Sequence, residues 1–105
     1  MIVRMAAAGA VVQDPDDLSV LRLTTDLDTD ALRKALSTTA TGELAADDVA
    51  MLDAAVLRSL AVISMTPAAA AAWSKRWAEM LEDARRSGRL SPDGRLVRVP
   101  VHRPR

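Results

Sequence analysis

The amino-acid sequence predicts a single α+β domain, predominantly helical. Three helices at about 28–38, 46–64 and 67–87 accompany a small antiparallel β element at about 18–25 and 95–101. Three observations predict it. Apolar residues recur three and four apart over two long stretches, helix start and stop signals bracket those stretches, and strict alternation is confined to two short runs. The 105 residues suffice for one hydrophobic core, so residues 1–105 are read as one domain.

Residues 1–12 are read as a loosely ordered N-terminal segment, in which the run Met5–Val12 is too short and Ala-rich to span a bilayer. Gln13-Asp14-Pro15-Asp16-Asp17 forms a turn: proline fixes φ, and aspartate side chains bond nearby backbone N–H groups. Leu21 and Leu23 alternate with Arg22 and Thr24, the period of a half-buried strand over 18–25. Asp28 or Thr29 can cap the first helix, whose Leu32 and Leu36 lie one turn apart, and the Ser37–Gly42 segment ends it.

From Ala46 the residues Val49, Leu52, Val56, Leu60 and Ile63 trace one helical stripe, and Asp47 and Asp48 suit the positive end of a helix dipole. Thr66-Pro67 starts the third helix, since the hydroxyl caps the first turn and proline at the first position gives up no hydrogen bond. Trp73, Trp77, Met80, Leu81 and Ala84 form its apolar stripe, and Arg85, Arg86 and Gly88 mark its end. Ser91-Pro92-Asp93-Gly94 is a turn, after which Val97, Val99 and Val101 share one face of a strand. Pro100, without an N–H, places that strand at an edge or near its end, and 102–105 is a basic tail.

The absence of cysteine rules out disulfides, thiolate nucleophiles and cysteine-held metals. No apolar run reaches the ~18 uncharged residues of a spanning helix, so the expected location is the cytoplasm, without a membrane partner. Net charge is zero, yet residues 1–60 carry five basic and ten acidic groups while residues 61–105 carry nine basic and four acidic. Such a distribution can steer association.

Asp26, Asp28 and Asp30 have the opening of a calcium loop. Ala31 replaces its glycine, however, and Ser37 its final glutamate, so helix capping explains these acids better. His102, the one histidine, has no partner at catalytic or metal-binding spacing. The adjacent acid pairs are solvated neighbours, which do not split their pKa values as acid–base catalysis requires. No phosphate, dinucleotide or nucleophile motif occurs. The sequence therefore implies no catalytic residue, cofactor or metal.

The candidate partner-binding residues are Trp73 and Trp77, the only aromatic side chains, and the basic group Arg85, Arg86, Arg89, Arg95 and Arg98. From Thr66 onward, a helix followed by a basic hairpin resembles the recognition helix and wing of winged helix-turn-helix proteins. The likeness spans the last forty residues and implies duplex binding. Glu79, Glu82 and Asp83 on that helix would repel phosphates, which argues against nucleic acid. The functional expectation is a non-catalytic protein-interaction or regulatory module: an accessory subunit, adaptor or small inhibitor acting through surface complementarity. Two short strands alone are marginal, so the sheet is expected to recruit a third from the N-terminal segment or from a second copy, which makes a homodimer plausible. The alternatives are a winged-helix-like DNA-binding regulator and a small enzyme or ligand carrier with a pocket lined by Trp, Met and Arg.

Overall fold

A computed structural model describes residues 1–104; of the basic tail 102–105, Arg105 lies outside the described residues. The chain forms β1 (Ile2–Ala6), β2 (Gly9–Gln13), β3 (Arg22–Thr25), α1 (Thr29–Thr38), β4 (Gly42–Ala46), β5 (Val49–Asp53), α2 (Ala54–Val62), α3 (Pro67–Arg86) and β6 (Leu96–His102). The strands make one mixed sheet in the order β2-β1-β3-β6-β5-β4. A six-stranded sheet overturns the expectation of a predominantly helical domain with a small β element.

Two β-hairpins account for the difference. The first, β1–β2, lies in the segment read as loosely ordered. Val3 and Met5 point to the core and Arg4 and Ala6 away from it, a period-2 pattern that the alanines mask because they count as helix formers. The second, β4–β5, occupies the first part of the helix placed at 46–64. Ala50 and Leu52 are fully buried on one face of β5, so Val49 and Leu52, three apart in sequence, lie on opposite faces. Asp47 and Asp48 form the hairpin turn instead of a first helical turn. Helix α2 begins only after Asp53, whose carboxylate accepts from Ala55 N at 2.9 Å and Val56 N at 3.1 Å. The Asp53→Ala variant should lose about 1 kcal/mol and Asp47→Ala much less, as measured by urea denaturation. Equal losses would mean that the cap is not at Asp53.

The strand expected at 18–25 is β3, confined to Arg22–Thr25, with Leu23 buried and Arg22 exposed as the alternation requires. It pairs with the C-terminal strand, but in parallel, through Leu23↔Val101 and Thr24↔His102, correcting the antiparallel expectation. Parallel pairing follows because α1, α2 and α3 intervene and return the chain to the same end of the sheet. Strand β6 is interior, so Pro100 does not mark an edge. It sits where one side of β6 changes partner. Arg98 N donates to Arg89 O at 2.7 Å before it, and the β3 ladder engages from Val101 after it, so the missing N–H falls at the junction.

Helix α1 and helix α3 follow their start and stop signals. Asp28 accepts from Ala31 N at 2.8 Å, Thr66 Oγ1 from Ala69 N at 3.2 Å, and Gly88 adopts φ +77° after α3. The three helices lie on one face of the sheet. Leu32 and Leu36 of α1, Leu57 and Ala61 of α2, and Trp73 and Trp77 of α3 bury against Val3, Leu23, Leu52, Val97 and Val99. Among the described residues no helix is long and apolar enough to cross a membrane.

Candidate functional site

The expected partner-binding residues do not form one surface. Trp73 and Trp77 are 2% and 3% exposed, and their rings stack at 5.2 Å between centroids. Trp73 Nε1–H also donates to Pro15 O at 2.7 Å, tying α3 to the loop before β3. Both indoles are core anchors, without a face for a partner. Arg85, Arg86 and Arg95 each lie beside an acid, Glu82, Asp83 and Asp93 respectively, at 3.4–3.8 Å. Their field is largely cancelled locally, and such exposed pairs add little stability. Arg89 donates to Ser87 Oγ at 2.8 Å at the end of α3. The turn at Ser91–Gly94 closes as expected, with Gly94 N donating to Ser91 O at 2.8 Å, and it leads into the interior strand β6. The Asp93 carboxyl is held below the usual carboxylate range by the Ser91 hydroxyl and the Arg95 backbone N–H.

Arg98 alone of the group faces a different surface. The helices cover one side of the sheet, and the other is open. Cross-strand register places Val11, Arg4, Thr24 and His102 in one row across β2, β1, β3 and β6 on that open side. Arg22, Arg98 and Pro100 lie on the same side and are exposed. Among the described residues neither Arg4, Arg22 nor Arg98 has an acidic partner within ion-pair distance. Reading along the chain hides this grouping, since these three arginines come from strands far apart in sequence that are neighbours in the sheet.

The two edges of the sheet differ. Strand β4 carries Glu43, and its register with β5 shifts between Leu44 and Ala46. A charge and a bulge are devices that discourage further strand pairing. Strand β2 reads Gly-Ala-Val-Val-Gln, without charge or proline, and pairs with β1 in unbroken register over all five residues. Val11 is 62% exposed there. As the terminal strand, β2 has one side that no other strand of the sheet pairs, while α2 packs beside it. The alternation Ala10/Val12 against Val11/Gln13 was a readable signal, but the short Ala-rich run before it obscured the hairpin that makes β2 an edge.

Near β2, the carboxyl ends of β1 and β3 enclose an open crevice of about 400 Å³. The buried Thr25 hydroxyl secures its base, donating to Met5 O at 2.8 Å and accepting from Leu27 N at 3.1 Å. Beside it, Arg103 donates to Leu27 O at 3.0 Å and Asp47 O at 3.1 Å, joining the β3–α1 loop to the β4–β5 turn. Asp28 is engaged in capping, and among the described residues no three metal-ligating side chains come together. No family model, curated protein or solved structure matches the chain.

Proposed function

We propose that the chain is a non-catalytic protein-interaction module that receives an extended segment of a partner protein along β2, as an adaptor, accessory subunit or inhibitor would. The contrast between a guarded β4 edge and an unguarded β2 edge carries this reading. Strand addition gives affinity through main-chain hydrogen bonds, and Val11 supplies the first side-chain contact on the open face. The segment this edge fits is uncharged and rich in β-branched residues, because β2 offers a valine and no charge to recognise.

A second copy is the less favoured occupant. Pairing β2 with β2 would join only two five-residue strands, a contact well short of the roughly 1,200 Å² of a stable interface. The shortage of strands that motivates a homodimer is also removed by the six-stranded sheet.

The test is selection from a display library of seven-residue peptides, followed by amide hydrogen exchange on the bound complex. Enriched peptides should have alternating β-branched residues and protect β2 amides. The Val11→Lys variant, which adds the missing guard at an exposed position, should keep stability within about 0.5 kcal/mol while weakening peptide binding about tenfold or more. Failure to enrich any peptide, or protection confined to other elements, would remove the reading. A dimer by gel filtration that Val11→Lys dissociates would replace it with self-pairing.

A further inference from the structure

The crevice near β2 follows from the path of the chain. From β1 the backbone turns outward to the β2 edge, whereas from β3 it leaves through α1 toward β4 at the opposite edge. Strands whose continuations diverge leave an opening at their carboxyl ends, the usual place for ligands in open sheets that contain parallel strands. The floor here is shallow in side chains, because Ala6 and Gly9 face each other across the β1–β2 hairpin. Arg4 and Asp26 both line the opening, yet no ion pair joins them, and neither has another charged partner among the described residues. Apolar surface from Val11, Leu27 and Pro104 completes the lining.

Two opposite charges that flank one cavity without satisfying each other suit a ligand bearing both complementary charges. From this geometry we infer that the crevice binds a small zwitterion of the α-amino-acid type. Its carboxylate meets the Arg4 guanidinium, its ammonium meets the Asp26 carboxylate, and an apolar side chain lies against Val11 and Leu27. The volume falls in the lower part of the range of roughly 300–1,000 Å³ typical of small-molecule sites. The inference shares Val11 with strand addition but rests on Arg4 and Asp26, which that reading does not use.

Leucine is a suitable probe, followed by amide NMR shifts at Ala6, Gly9 and Thr25. Two analogues separate the charges: 4-methylpentanoate lacks the ammonium and 3-methylbutylamine lacks the carboxylate. Leucine should give saturable shifts confined to the crevice, with each analogue binding about tenfold more weakly or worse. Arg4→Gln should bring leucine to the level of the amine and Asp26→Asn to that of the carboxylate. Both positions are exposed, so unchanged spectra elsewhere will establish that the variants fold. The inference is overturned if leucine at ~10 mM moves no crevice amide, a concentration that would reveal even millimolar affinity. It is equally overturned if either analogue matches leucine, or if both substitutions leave leucine binding unchanged.

Discussion

The Trp73→Ala variant should lose about 3–5 kcal/mol of stability, a large share of the ~5–15 kcal/mol that holds a domain of this size together. Three losses coincide at this site. The indole is 2% exposed, so its removal returns apolar surface to water or leaves a cavity. Trp77 loses a stacking partner at 5.2 Å. The Pro15 carbonyl loses the indole N–H that donates to it at 2.7 Å, freeing the loop that precedes β3. Trp73→Phe keeps most of the packing but not the hydrogen bond, and should cost about 1–2 kcal/mol. Urea denaturation followed by circular dichroism measures both. A loss under about 1 kcal/mol for Trp73→Ala would show that the stacked pair does not anchor α3.

A comparable loss, about 3 kcal/mol, is expected for Gly42→Ala, although it adds only a methyl group. A Cβ at this position would stand 2.2 Å from Met51 O and 2.9 Å from Leu52 Cα. Both are backbone atoms of β5, so no side-chain rotation can relieve the overlap and β4 itself must shift. Its anchoring bonds, Thr41 N to Leu36 O at 3.0 Å and Asp53 N to Thr41 O at 2.8 Å, resist that movement. The control is Gly88→Ala, where nothing lies within 4 Å and only φ +77° opposes a side chain; about 1 kcal/mol is expected there. Thermal denaturation ranks the two variants, and hydrogen exchange should show β4 amides opening in Gly42→Ala alone. A smaller cost at Gly42 than at Gly88 would contradict the close approach of β4 to β5.

These two residues also show how far the sequence could be read. Trp73 and Trp77 declare themselves as anchors because they are four apart on a helical stripe in a chain with no other aromatic residue. Gly42 reads as a helix stop, and nothing local reveals that its absent side chain makes room for another strand's backbone. The candidate site was less legible than the fold. Arg98 stands out within a C-terminal basic run, but nothing local groups Arg4, Val11 and Asp26: the β1–β2 hairpin sets Val11 beside Arg4, and the parallel alignment of β1 and β3 brings Asp26 to the same crevice.

By itself the sequence determined the elements whose signals are local. The boundaries of α1 and α3, the turn at Ser91–Gly94 and the inward valines of β6 each depend on a cap, a proline or glycine, or alternation within a few residues. Tertiary structure alone decided between strand and helix at Ile2–Gln13 and Val49–Asp53, where alanine and short apolar runs satisfy both periods. It also decided that β3 and β6 run parallel, and which face of the sheet lies open. Long-range strand pairing fixes those choices by bringing buried residues to a common face, and no window of neighbouring residues contains that information.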